Sequence, residues 1–235
     1  MRDIQKIHLT EEEWLIAASD NAGAIGEMEH DLVNVPLEIT ASHTLRVALM
    51  ECLAVGAAPF SIILHNFIGN KAWKRLSASC DRLMKETGFD GVSITGSTES
   101  NMTMMQSAIG ITVLGRVAKN LYRSGVTPLD AGFAVVGEPL VGEEVITKAD
   151  RMVSLSLFQE LCRHDGVFEL IPAGSGGIAR EIRYLNPEAK FIDCELNMHK
   201  SAGPASCVII AYNKQFTNDL KNLANGLFYP VHLSG

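Results

Sequence analysis

Within eight consecutive residues, Ile94-Thr95-Gly96-Ser97-Thr98-Glu99-Ser100-Asn101, the chain carries a glycine, four hydroxyls, a carboxylate and an amide. That mixture suits the binding of a phosphate group and its counter-ion. Apolar runs at residues 91–94 and 108–115 flank it, so the pattern predicts a loop between two strands with backbone N–H groups free to meet an anion. Ser97 and Thr98 add hydroxyl donors, and Glu99 offers the oxygen ligand that Mg2+ takes. An ordinary polar strand connection has the same composition.

Other residues with chemical potential are scattered along the chain. Asp20 stands where the apolar run Trp14-Leu15-Ile16-Ala17-Ala18 gives way to a glycine-punctuated stretch, so it is placed at a strand exit, as a metal ligand or as a turn residue bonding its own backbone. Glu51 falls inside an apolar helical pattern; it either faces solvent or is kept for a metal or partner, because an unpaired buried charge costs several kcal/mol. His65 and Asn66 close a short apolar run and would share a rim with Asp20 if their strands are neighbours. Further on, Gly174-Ser175-Gly176-Gly177 precedes a helical pattern, and a glycine loop at a helix N-terminus can bind phosphate, although it also makes a tight turn. Lys200 and Ser201, beside His199, add a basic and a hydroxyl group in a connection between two strand-like runs.

These residues need a scaffold. Strands are predicted at residues 60–64, 106–117, 131–137, 191–196 and 205–212, with an edge or irregular strand at residues 31–39, where Pro36 interrupts the alternation. Helices are predicted from Ser42 to a stop at Gly56, and over residues 73–86, 149–163, 178–182 and 216–224. Gly125 and Pro128 mark a hinge or domain boundary.

The 235 residues suit one large or two small domains, and 47% hydrophobic content with 20% charge is ample for a buried core. A net charge of −7 argues against nucleic acid or an anionic membrane as partner and favours a small molecule. The N-terminal stretch lacks the apolar core of a signal peptide, and apolar runs break off well before ~18 residues, so a cytoplasmic location is expected. Five widely spaced cysteines without a CxxC pair give neither a disulfide framework nor a zinc site.

Three separated pieces together resemble the aminoimidazole ribonucleotide synthetase (PurM-like) superfamily, which includes thiamine-monophosphate kinase, selenophosphate synthetase and the hydrogenase maturation factor HypE. They are Ser19-Asp20 with its glycine loop, the stretch LRVALMECLAVGAAP at residues 45–59, and Thr95-Gly96-Ser97-Thr98-Glu99 with the strand IGITVLGR at residues 109–116. The later VVGEPLVG, residues 135–142, resembles the opening of that superfamily's second domain. The resemblance implies an ATP- and Mg2+-dependent enzyme of two α/β domains. Residues 1–122 would form an ATP- and metal-binding dimerisation domain with a mixed sheet, and residues 123–235 a smaller α/β domain. It further implies a homodimer in which strands of the first domains join into a barrel.

Residue by residue, the resemblance makes Asp20 the family's strand-end aspartate. Glu51 stands where the kinase branch has an aspartate, and Ser97 where the family's phosphate loop has an acid, with Glu99 two positions beyond. Asp20 and Glu51, with Glu99 as a third, would then hold Mg2+. Gly96, Ser97 and Thr98 would cradle the ATP phosphates, with Asn66 and Asn101 as polar contacts. Gly174, Ser175, Gly176, Gly177, Lys200 and Ser201 would face the acceptor, with Asp20 or His65 as base. The stretch aligned with the thiamine-monophosphate kinase pattern Asp-Ile-Ser-Asp-Gly reads Ala-Gly-Ser-Gly-Gly here, so both its carboxylates are missing. The reactive cysteines of selenophosphate synthetase and of the hydrogenase factor have no counterpart either. The wording SDNAGAIGEMEHD, RVALMECLAVGAAP, ITGSTESN and KSAGPA looks most like the alpha-ribazole kinases of cobalamin salvage, implying phosphoryl transfer to the 5-hydroxyl of alpha-ribazole. The alternatives are an ATP-binding regulatory module without catalysis and a synthetase-type ligase.

Overall fold

The structure, a computed structural model, describes residues 3–234. The chain divides into two compact units. The first comprises Asp3–Leu53 and Ala57–Leu121, the second Ala54–Gly56 and the stretch from Tyr122 onward.

The first unit is built on a five-stranded sheet of β1 (Ile4–His8), β2 (Glu13–Gly23), β5 (Ala58–Asn66), β6 (Ser93–Thr98) and β7 (Ala108–Ala118), in the order β1-β2-β7-β5-β6. Two short strands, β3 (Ile25–Gly26) and β4 (Val33–Asn34), pair apart from it. Within the five-stranded sheet only β5 and β6 run parallel, and the other neighbours are antiparallel. The sheet is open, with β1 and β6 at its edges. Period-two alternation buries Ile16, Ala18, Ile62, Leu64, Ile109, Ile111 and Val113 on one face, which is covered by α1 (Leu37–Ala54) and α2 (Asn70–Glu86). Gly115 lies on that face because a Cβ there would stand 2.5 Å from Cys52 Sγ; its absence lets α1 settle on β7.

Helix α1 starts five residues before Ser42. Pro36, read in the sequence as interrupting a strand, instead opens the helix, since its fixed φ suits the first turn and its missing N–H would have no partner there. The next N–H, of Leu37, is met by Glu27 Oε1 at 3.2 Å. Glu27 is held in turn by Arg75 of α2, which makes four hydrogen bonds of 2.6–2.7 Å to Glu27 and Glu38. The Arg75 guanidinium pulls Glu38 down to about 2 and Glu27 below the usual carboxylate range.

The second unit has an all-antiparallel sheet of β8 (Gly132–Val136), β9 (Val167–Pro172), β10 (Phe191–Asp193), β11 (Val208–Tyr212) and β12 (Phe228–Ser234), in the order β10-β12-β8-β11-β9. Every residue of β8 and β11 is buried, which explains their continuous apolar sequence. One face packs on α5 (Ile178–Leu185) through Ile178, Ile182 and Leu185 against Val135, Ile171 and Ile209. The remaining helices are α3 (Glu144–Thr147), α4 (Leu155–Arg163) and α6 (Thr217–Ala224). The helix expected from residue 149 begins only at Leu155, where the Ser154 hydroxyl accepts the Leu157 N–H at 3.1 Å as an N-cap. Residues 149–151 form a separate 3-10 turn.

Candidate functional site

Strands β2, β5 and β6 all end at one rim of the first sheet, because β2 and β5 both oppose β7 and β6 runs parallel to β5. The register places Ala22, Ile109, Asn66 and Thr98 in one row, and Asp20, Ile111, Leu64 and Gly96 two rows in, on the same helix-covered face. Asp20 is therefore inside β2, three residues short of its end, and not at a strand exit. Burial pushes its carboxyl up to about 6; the Asn21 N–H lowers it and the nearby Asp3 adds to the rise. Among the described residues Asp20 makes no ion pair, so the Asn21 N–H offsets only part of the cost of its charge.

The segment expected as a free phosphate loop is a strand. Gly96, Ser97 and Thr98 belong to β6 and pair in register with Leu64, His65 and Asn66, and the Glu99 N–H continues the ladder to Asn66 O at 2.8 Å. Part of the backbone donor set is thus consumed by the sheet, the remainder lying on an edge strand. Gly96 has a packing reason: a Cβ there would come within 1.8 Å of Leu64 O. Ser97 and Thr98 point to opposite faces, as successive strand residues must. Asn66, 1% exposed, is fully employed, its amide donating to Gly69 O at 2.9 Å and Thr98 Oγ1 at 3.2 Å while its oxygen accepts the Ile68 N–H at 2.9 Å. It ties the ends of β5 and β6 together.

Glu99 likewise serves its own loop. Its Oε1 accepts the N–H groups of Asn101 at 2.7 Å and Met102 at 3.1 Å, and these bonds hold its carboxyl below the usual range. Glu51 lies on α1 and is 6% exposed, so it does not face solvent. Three strand spacings, about 14 Å across the sheet, separate β2 with Asp20 from β6 with Thr98, which also lies two rows further along. No group of three or more His, Cys, Asp and Glu side chains that could hold a metal ion occurs among the described residues. Asp20, Glu51 and Glu99 therefore do not form a three-carboxylate centre. His65 lies in the row of Asn21, Gly110 and Ser97, on the sheet face opposite Asp20.

A residue that sequence reasoning passed over braces this rim. Asp31, 8% exposed, accepts Ser107 N–H and Ser107 Oγ–H at 2.7 Å each and Met28 N–H at 2.9 Å. Burial alone would raise its pKa, but the three bonds together bring it below the usual value. Gly26, at φ 157°, abuts the clamp, since a Cβ there would lie 2.3 Å from Ser107 Oγ. The signal was a lone Asp before an apolar run, indistinguishable from a turn residue without its partner 76 positions away.

In the second unit, the glycine loop 174–177 joins β9 to α5 as expected. Gly177, at φ 76°, precedes the helix, and the neighbouring loop presses so closely that a Cβ would stand 2.8 Å from Met198 O. Met198 O takes the Ala179 N–H at 2.9 Å and Gly174 O takes the N–H groups of Gly177 and Ala202, both at 3.2 Å, so some donors of the expected anion cradle are already used. Ser175 is exposed and Ser201 half-buried. Lys200 is paired, its Nζ 2.7 Å from Glu144.

No protein-family model matches the chain, and no curated protein does. Solved structures do. The mixed α/β fold is shared, at high coverage, with solved structures of several proteins. A HypE–HypF complex structure superposes with a TM-score of 0.65 at 11% identity, covering 97% of this chain and 87% of that one. Thiamine monophosphate kinase from Aquifex aeolicus gives 0.64 at 12% identity, covering 100% and 89%. T. maritima PurL complexed with ADP gives 0.66 at 12% identity; there the match covers 98% of this chain but 42% of PurL. These TM-scores, at identities of 11–12%, show a shared fold alone.

Proposed function

We propose that the chain is an ATP-dependent phosphotransferase acting on a small nucleoside-like acceptor, with alpha-ribazole the first acceptor to test. The fold supports this reading: among the structures it resembles along nearly its whole length is AaThiL complexed with AMPPCP and TMP, and others hold ADP or ATP. The observation that carries it is Asp20. A half-buried carboxylate lifted to about 6, with no cation paired to it among the described residues, is a group whose ionised form gains most from a cation brought in with a ligand.

Mg2+ usually takes one or two protein carboxylates and completes its shell with substrate phosphates and water, so one carboxylate in this position fits it without a three-acid cluster. Bound there with ATP, the ion would neutralise phosphate charge, which is the main demand of phosphoryl transfer. The chain's own part is positional. Asp20 holds the cation side, and the edge of β6 from Gly96 to Thr98 offers hydroxyl and N–H donors; within the second unit, the 174–177 loop and Ser201 are the proposed acceptor donors. Lys200 reaches an acceptor only by leaving Glu144. Within the same proposal, the sheet face bearing His65, Thr112 and half-exposed Phe60 pairs with a second copy, and the two units act as domains with a boundary near residue 122.

A second reading, an ATP-binding module without turnover, is favoured by the engagement of Glu99 and Asn66 in their own loops. One experiment separates the two. The protein is incubated with Mg-ATP and a nucleoside panel that includes alpha-ribazole and its isomers, and products are sought by mass spectrometry. Phosphate on an acceptor sustains the kinase; ATP binding without product from any acceptor leaves the module; absence of ATP binding refutes both.

A further inference from the structure

The second unit holds a pocket that none of these roles uses. It lies where β8 begins and β12 ends, at the end of the sheet opposite the 174–177 loop, because β9 and β11 run antiparallel with Pro172 opposite Val208 and Val167 opposite Tyr212. Its origin is a mismatch in strand length. The β12–β8 ladder stops at Val231 and Phe133, while β12 continues through His232 and Leu233 in register with Asp193 and Ile192 of β10. Beyond Phe133 one side of β12 therefore has no ladder partner, and a notch of about 490 Å³ opens between β12, the start of β8 and the turn at residues 186–189. That volume lies in the range of small-molecule sites.

The lining has a definite chemistry. Phe133 and Val231, both buried, give the notch an apolar floor continuous with the α5-side core. Lys214 lines its mouth, with its stem laid across Gly132: a Cβ on Gly132 would meet Lys214 Cγ at 3.1 Å and the Tyr212 ring at 2.9 Å. Glycine at 132 thus makes room for the lysine. Among the described residues Lys214 has no carboxylate partner, although Glu188 lines the same notch. His232 adds a ring N–H donor, opposite Asp193 in the ladder. On a chain of net charge −7, a notch that pairs an apolar floor with a lysine lacking a carboxylate partner offers an anion a local anchor, with Glu188 balancing the lining to neutral.

We infer that this notch is a binding site for a small organic anion, an apolar body carrying one phosphate or carboxylate group, with Lys214 as its charge anchor and Phe133 and Val231 as its floor. Glu188 restricts it to singly anchored ligands, since a second anionic group on that side would be repelled. The site shares no residue with the nucleotide and acceptor regions proposed above and stands whether or not the chain is a kinase.

The test uses the full chain and four probes followed by NMR titration: phenyl phosphate, benzoate, inorganic phosphate and phenol. Phenyl phosphate or benzoate should saturate with a Kd of about 1 mM or tighter, and phosphate or phenol alone should bind at least tenfold more weakly. Whichever of the first two binds better identifies the head group. Lys214 is exposed, so Lys214→Gln leaves the fold intact and should weaken the better probe at least tenfold; Lys221→Gln, the same charge change on α6, should not. Saturation by neither aromatic anion, or equal affinity in wild type and Lys214→Gln, overturns the inference.

Discussion

Replacing Asp20 by asparagine should stabilise the ligand-free protein at pH 7.5 while weakening its binding of Mg-ATP. The magnitude follows from the folded-state environment. Burial disfavours the charged form of Asp20 and lifts its carboxyl in the folded chain from the ordinary 3.8 to about 6. A carboxyl raised on folding contributes stability that is fully present below pH ~4 and lost as the pH rises through about 6. At pH 7.5 the ionised group therefore opposes folding. A shift of about two units is worth about 3 kcal/mol; solvent reaching the half-buried group reduces this to about 1–2 kcal/mol. Asparagine carries no charge to desolvate, so Asp20→Asn should raise the melting temperature by about 3–6 °C at pH 7.5 and leave it nearly unchanged at about pH 3, below the unfolded value, where both states hold the proton. Differential scanning calorimetry at both pH values, with calorimetric titration of Mg-ATP, reads both effects. Affinity should fall at least tenfold, about 1.4 kcal/mol. A variant that melts at or below the wild-type temperature at pH 7.5 would refute the desolvation reasoning, and unchanged Mg-ATP affinity would remove Asp20 from the nucleotide site.

Three further outcomes are expected. Asp31→Ala leaves the N–H groups of Ser107 and Met28 without their acceptor and should cost about 3 kcal/mol in urea unfolding; a loss below about 1 kcal/mol would show that water replaces the clamp. Gly96→Ala drives a methyl into Leu64 O and should cost at least about 2 kcal/mol, with faster amide exchange along β6; native-like exchange there would disprove the close approach. Glu99→Gln retains an oxygen to accept the Asn101 and Met102 N–H groups and should change Mg-ATP affinity less than about threefold, about 0.6 kcal/mol; a tenfold loss by titration would restore Glu99 to the metal site.

Periodic segments were the most legible part of the sequence. The stripe Leu45, Leu49, Leu53 and the inward set of Leu76, Cys80 and Met84 specify α1 and α2 because each follows the helical repeat over several turns. β8 and β11 were readable as unbroken apolar runs. β1 (Ile4–His8) was not, since four of its five residues are exposed and its pattern IQKIH carries no buried alternation. Val167–Pro172 and Phe228–Ser234 passed unrecognised for another reason: each includes a proline, which in sequence argues against a strand. Within the site, composition identified a cluster of polar residues in 94–101 but not their partners. Whether Thr98 faces a ligand or Asn66 depends on the register of β5 and β6, and register is set by contacts remote in sequence. The same limit hid the distance between Asp20 and Thr98, which only the strand order reveals.

The order β10-β12-β8-β11-β9 has a consequence for synthesis. The strand nearest the end of the chain, β12, lies second in the sheet, between β10 and β8. Until residues 228–234 have left the ribosome, β8 and β10 each present an open edge, and no hairpin of earlier strands can close the gap. The buried, wholly apolar β8 is then the most adhesive surface of the nascent chain, a ready template for a neighbouring copy. Folding of this unit is thus bound to wait for β12, and a chain cut before residue 228 would aggregate rather than be merely shortened.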